Sequence, residues 1–185
     1  PEGTPESWLV LEIYPPLGAA AESISDTLVA GLRQALDAVT VAVDDWQPML
    51  QRARAAVDEL GADKTPAGAE AVALMEWLAA DHFVFLGYAD YEPAGGALVP
   101  VPGTGLGILR DTTETDRLTV PGPGERDPLV MVRDPRRSPV HRPVYLEHLA
   151  VRRFGSDGTL IRERRFLGLL AASAYTESVA NIPVL

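Results

Sequence analysis

Gly155-Ser-Asp-Gly158 stands between two apolar, β-branched runs, Val144 to Phe154 and Thr159 to Leu170, and this arrangement constrains the fold more than any other stretch. Glycine at both ends of a short polar turn permits left-handed backbone conformations, so the flanking runs fold back on one another as an antiparallel hairpin. Just upstream, Leu129 to Val132 reads as a short buried strand. Phe83 to Tyr91 is aromatic-rich and strand-like, and it ends in the turn Glu92-Pro-Ala-Gly-Gly96. Leu98 to Arg110 holds either one long strand or two short ones broken at Pro102-Gly103, and Asp111 to Asp127 is mostly loop.

The first third has the helical period instead. Leu28, Leu32, Leu36, Val39 and Val43 recur every three or four residues, which predicts an amphipathic helix from Asp26 to about Trp46, after a linker from Pro15 to Ser25. Met49, Ala53, Ala56, Val57 and Leu60 continue an apolar face to Gly61, either as a second helix or as one helix kinked at Pro48. Thr65 before Pro66 is a good start signal for a further helix that ends near Asp81. Trp8 to Tyr14, stopped by Pro15-Pro16, reads as a strand with no partner nearby, and the tail from Ala171 reads as a brief helix. From residue 65 the order is one helix, two strands, a long loop and three strands, which favours an antiparallel sheet with helical cover over a doubly wound parallel one.

With 185 residues and 46% hydrophobic composition, the chain can bury a stable core without disulfides, and it contains no cysteine. No apolar run reaches the roughly 18 to 20 residues that span a bilayer, so no membrane partner is expected. Pro1 in place of Met predicts a piece of a longer protein. The net charge of −10 disfavours nucleic-acid binding. That charge is polarised. Between Arg133 and Arg165 nine Arg face four acids, whereas the remainder carries seven Lys or Arg against twenty-two acids. The Arg set is expected to pair with the acidic helices or to form an anion-binding surface.

Few residues suggest catalysis. No glycine-rich turn connects a strand to a helix as nicotinamide binding requires, and Gly103-Thr-Gly105-Leu-Gly107 precedes a β-type run, where a turn or close backbone packing is the better reading. Three scattered histidines, His82, His141 and His148, do not form a metal site. His82 is expected to cap or pack at a helix-to-strand junction. Alternation along a strand puts His148 and Glu147 on opposite faces. Ser173 and Thr176 read as helix caps, and Glu163 among its arginines as a cross-strand ion-pair partner. Phe83, Phe85, Tyr88 and Phe166 read as sheet core. Arg142, Arg153, Arg162 and Arg164, with His141, are the candidate contacts for an anion or a carboxylate effector, and strand parity places Arg162 and Arg164 on one face.

Five segments taken together carry a family resemblance: Asp81-His-Phe-Val-Phe-Leu-Gly-Tyr88, Leu106-Gly-Ile-Leu-Arg110, Val140-His-Arg-Pro-Val-Tyr145, Arg164-Arg-Phe-Leu-Gly168 and Ser173-Ala-Tyr-Thr-Glu-Ser178. The chain resembles the amino-terminal regulatory region of the large bacterial NAD-dependent glutamate dehydrogenases, well over about residues 66 to 185 and loosely over 8 to 60. Pro139 departs from the family, which tends to have Thr there. The resemblance implies an α+β fold: an antiparallel five-stranded PAS-like (or ACT-like) domain at 65–185, preceded at 1–62 by a strand and helices from the end of a truncated ACT-like module. It implies a cytoplasmic, homo-oligomeric parent that oxidises L-glutamate to 2-oxoglutarate and ammonium with NAD. The catalytic residues and the NAD site would lie outside this stretch, which would itself hold no cofactor. Its partners would be other domains and subunits of the parent, with a small-molecule effector as the alternative. An independent enzyme is disfavoured because no nucleophile lies beside a base.

Overall fold

The computed structural model describes residues 8–14, 21–122 and 124–183. Three helices come first: α1 (Ala21–Asp44), α2 (Trp46–Leu60) and α3 (Pro66–Trp77). The period of three to four places them nearly as expected: α1 ends beside Asp45, where its stripe was read to stop, and Pro48 lies in the first turn of α2, but α1 already starts at Ala21, within the stretch read as linker, whose residues 15–20 lie outside the described ones. Proline is tolerated in the first turn of α2, where backbone N–H groups have no intrahelical acceptor. Asp45 is pulled out of the helix by long-range bonds: its Oδ2 accepts from Gly107 N at 2.6 Å and Arg110 Nε at 3.1 Å, and Arg110 Nη2 lies 2.9 Å from Oδ1. At α3, Thr65 Oγ1 accepts from Gly68 N, the cap its sequence position indicates. The helix then loosens into a π-type turn, Leu78–His82, where Asp81 takes a left-handed φ of 65°.

The sheet is antiparallel throughout its pairings. Its strands are β1 (Phe83–Ala94), β2 (Ala97–Pro100), β3 (Leu106–Gly107), β4 (Leu118–Thr119), β5 (Leu129–Arg137), β6 (Tyr145–Phe154) and β7 (Leu160–Leu170). They lie in the order β4-β2-β1-β7-β6-β5, with β3 also on β1, so seven strands replace the expected five. Of the two beyond that count, β4 comes from the stretch read as loop, and β3 is the second of the two short strands into which Leu98 to Arg110 divides at Pro102-Gly103. β5 runs on to Arg137 through Pro135, beyond the expected stop at Val132. It can do so because it is an edge strand, where a missing N–H costs no ladder bond. The β6–β7 hairpin forms at its turn: Gly155 N donates to Thr159 O at 2.8 Å, Asp157 accepts from Thr159, and Gly158 has φ 82°. A short helix, α4 (Ala172–Thr176), follows.

Alternation along β1, β6 and β7 divides the core in two. One face sends Phe83, Phe85, Tyr88, Leu149, Val151 and Phe166 against Met49, Ala53, Ala56, Leu74 and Met75 of α2 and α3. On the other, Ala38 and Ala42 of α1 meet Leu86, Leu146 and Leu169, and Tyr91, Leu98 and Leu167 meet Leu109 in the loop after β3. The α1–α2 junction reaches both faces because Asp45 is fastened to β3.

Trp8 to Tyr14 forms no strand, contrary to expectation. The segment pairs with no strand of the sheet. Trp8 is 90% exposed, and only Leu11 and Ile13 lie along Ile24, Leu28 and Leu32 of α1. Without ladder bonds an isolated apolar run has nothing to hold it extended.

Asp45→Ala is expected to cost about 1–3 kcal/mol, because the Gly107 amide is left buried without its acceptor. The hydrogen bond from Arg110 holds the Asp45 carboxyl below its ordinary range. Its contribution is therefore complete above the unfolded carboxyl value of about 4 and is lost as pH falls below it. Denaturant titrations of wild type and variant at neutral and acid pH check both statements, and the two proteins should converge in acid.

Candidate functional site

On the helix-covered face, strand parity brings Arg162 and Arg164 together, and register sets Arg153 of β6 opposite Arg162. All three guanidinium groups converge on Glu59, in the last turn of α2. Arg162 Nη2 donates to both Glu59 oxygens at 2.8 and 3.0 Å, Arg164 Nε lies 2.9 Å from Oε2, and Arg153 Nη1 lies 3.6 Å from Oε1. Beside them Asp90 sits opposite Arg164 in the ladder and accepts from the Tyr88 hydroxyl at 2.7 Å. Burial and Asp90 push the Tyr88 phenol well up, so it stays protonated. The surrounding cleft, about 580 Å³, is lined by Leu60, Asp63, Pro128 and Phe154 with these arginines. Arg162 Nε and Arg164 Nη1 are buried without a hydrogen-bond acceptor, whereas Arg164 Nε has the Glu59 carboxylate as its ionic partner.

Three of the five sequence-designated residues are thus gathered and two are not. Arg142 donates to Leu170 O at 2.8 Å and lies over the Tyr175 ring, at the far end of β7 from Arg162. His141 is exposed, with φ 67°. The pairing of the Arg-rich strands with acidic helices holds at Glu59. Its physical consequence is a clamp: one carboxylate fixes the C-terminal end of α2 to two strands.

The opposite face carries a second group that the sequence reading did not assemble. Glu163 is fully buried and accepts from Arg152 Nε at 3.0 Å and from Arg165 Nε. It does form the expected cross-strand pair, but in the interior and with Arg152. Its partner Arg165 lines a cavity of about 510 Å³, roofed by the Thr112 to Leu118 loop and reached also by Tyr91 and His148. Burial, and the positive charge of Arg165, push the His148 imidazole down to about 3. The signal for this group was the odd-numbered parity of Glu163, Arg165 and Leu167. What hid it was the roofing loop, which has no periodicity to place it.

The remaining histidine and the hydroxyls are structural. His82 stacks on Trp77 at 4.3 Å, bonds Trp77 O through Nδ1 at 2.8 Å and approaches Glu177 at 3.6 Å. Ser173 does not cap α4 as expected: its Oγ donates to Asp81 O at 2.6 Å, and Ala171 occupies the cap position. Thr176 instead bonds back to Ser173 O. Gly107, at φ 57°, would drive a Cβ into Leu86 O, so the glycine-rich run serves close backbone packing. No group of three or more His, Asp or Glu residues among the described ones is arranged to hold a metal. Among the same residues, no helix is long and apolar enough to cross a membrane.

Fold and sites together define an α+β protein whose antiparallel sheet carries charged clusters on both faces. Comparison with known proteins narrows this. Over 178 residues, 86% of its length, the chain is 33% identical to the NAD-specific glutamate dehydrogenase of Halomonas elongata, and over 172 residues it is 34% identical to that of Pseudomonas aeruginosa. The Mycobacterium tuberculosis NAD-specific glutamate dehydrogenase is 32% identical over 114 residues, 60% of the chain. The chain spans only 11% of the length of the first two relatives. No protein-family model matches it.

Glu59→Gln should destabilise by roughly 1–3 kcal/mol, since the partly buried guanidinium groups of Arg162 and Arg164 lose their counter-charge, and the loss should appear as a lower denaturant midpoint with unchanged slope. For His148 the folded value lies below the unfolded one, so the unfolded chain takes up the proton first. Stability should therefore fall with pH from about 6.5 downward, by at most ~1.4 kcal/mol per pH unit, and His148→Leu should abolish that part of the slope.

Proposed function

We propose that this chain is a non-catalytic regulatory and assembly segment of a large NAD-dependent glutamate dehydrogenase. The observation that carries the reading is its similarity, over most of its length, to a stretch amounting to about a tenth of such enzymes. On this reading the parent is a cytoplasmic homo-oligomer that oxidises L-glutamate with NAD, and hydride transfer and NAD binding belong to other parts of it. Residues 65–185 form a PAS-like domain. The succession of the five longer strands, β2-β1-β7-β6-β5, supports that assignment, and 1–62 supplies the end of an ACT-like module and a helical linker.

Assembly is favoured by what α1 and the first residue of α2 leave uncovered. Val29, Leu32, Leu36, Val39, Val43 and Trp46 are all exposed and follow alternating steps of three and four residues, the spacing of a seam between helices. The face fits other domains or subunits of the parent enzyme. Effector binding is the second reading. The buried, unpartnered N–H groups of Arg162 and Arg164 favour it on one face, and the cavity lined by Arg165 and His148 favours it on the other.

In the full-length enzyme, Leu36→Glu combined with Val39→Glu should alter the oligomeric mass seen by light scattering. The same pair should leave the unfolding free energy of the 185-residue chain within about 1 kcal/mol, as expected for two exposed sites. An unchanged assembly with unchanged kinetics would remove α1 as a packing face.

A further inference from the structure

The face of the sheet opposite the Glu59 clamp holds a charge imbalance. Glu163 has no exposed surface and is shared by Arg152 and Arg165, whose side chains are only 11% and 18% exposed. One carboxylate therefore answers two guanidinium groups. The nearby acids do not make up the difference. Asp134 is committed to Arg136 by two contacts of 2.8 and 2.9 Å, and Asp116 is exposed at the rim, where water screens its charge. An unmatched positive charge held largely out of water is costly unless an anion joins it.

The space above that charge is built to receive one. His148 is 9% exposed, lines the 510 Å³ cavity, and its Nε2 is buried with no hydrogen-bond partner. Arg165 spends only Nε on Glu163, and neither its outer nitrogens nor the Tyr91 hydroxyl donates to any described residue. Burial keeps both rings in their uncharged forms at neutral pH, so Tyr91 offers an O–H and the Nε2–H tautomer of His148 offers an N–H. A guanidinium fork with two neutral donors matches the acceptor pattern of a carboxylate. Leu109, Leu118 and Leu167 on the same wall suit a short carbon chain better than a bare inorganic ion.

We propose that this cavity binds the carboxylate of a small amino acid or 2-oxo acid, gripped by Arg165, Tyr91 and His148. It deepens the effector reading and rests on it only for the consequence in the parent enzyme, because binding is a property of this chain alone. An amino acid would place its ammonium near Asp116 on the rim, whereas a 2-oxo acid would leave that carboxylate unused.

Calorimetric titration of the 185-residue chain with L-glutamate, 2-oxoglutarate and inorganic phosphate, each to about 10 mM, tests the site. At least one carboxylic acid should bind, and Tyr91→Phe and His148→Leu should each weaken it by about tenfold or more. Arg33→Ala, on the exposed surface of α1, should leave the affinity unchanged. Preference for glutamate assigns the Asp116 contact, and preference for 2-oxoglutarate assigns the oxo acid. In the wild-type chain the ring signals of His148 should shift on ligand addition, a readout that does not depend on either variant folding. No binding by either acid, binding of phosphate as tight as theirs, or unchanged affinity in both pocket variants would overturn the proposal. Such a result would leave the packing role standing, since that is read from assembly of the full-length enzyme.

Discussion

The alternation of side chains along β7 is the constraint on which the rest of the molecule depends. Residues 162, 164 and 166 point to α2 and α3, and 163, 165 and 167 point the other way, so four consecutive charged residues among hydrophobic neighbours divide between two environments. As the strand between β1 and β6, β7 cannot slip by one residue without exchanging Phe166 for Arg165 in the core and Glu59's partners for a carboxylate. The register of the whole sheet is protected by that penalty. The Gly155 to Gly158 turn needs only to start the pairing in phase.

The two faces use the resulting charges differently. Toward the helices, Glu59 draws three guanidinium groups onto the end of α2 and so fixes a helix to strands far along the chain. Toward the other side, Glu163 is buried with too few acids around it, and the excess charge opens onto a cavity through Arg165. A fully satisfied polar network would make a rigid layer, whereas a partly satisfied one is where a ligand gains most. α1 adds a third surface. Its small residues, Ala38 and Ala42, pack on the sheet, and its larger apolar ones face outward. Such a helix suits a segment that works inside a larger assembly.

Much of the architecture was legible because it rests on short-range rules. The hairpin followed from paired glycines between β-branched runs, α3 from Thr65-Pro66, and the inward stripe of α2 from Met49, Ala53, Ala56 and Leu60. The departures have a common cause. Trp8 to Tyr14 has strand composition, but a strand exists only where another offers free N–H and C=O groups. The end of α1 near Asp45 was legible, but the fastening of that carboxylate to Gly107 and Arg110, 62 and 65 residues away, was not. Ser173 left its capping role for the Asp81 carbonyl, 92 residues earlier. Of the candidate site, the shared face of Arg162 and Arg164 was readable from parity. Their acceptor, 103 residues before Arg162, was not.

The sequence by itself determined α2, α3 and the long strands β1, β6 and β7, which faces of those strands are apolar, and that nine arginines cluster between Arg133 and Arg165. These are properties of period, turn chemistry and composition, and each is settled within a few residues. Tertiary structure alone decided that Arg153, Arg162 and Arg164 meet at Glu59 while Arg142 does not. It also decided that Glu163 is buried with one cation too many, and that a loop without periodicity closes over His148. Side-chain ionic contacts depend on distances of a few ångströms between residues brought together by the fold, and no local pattern encodes that separation.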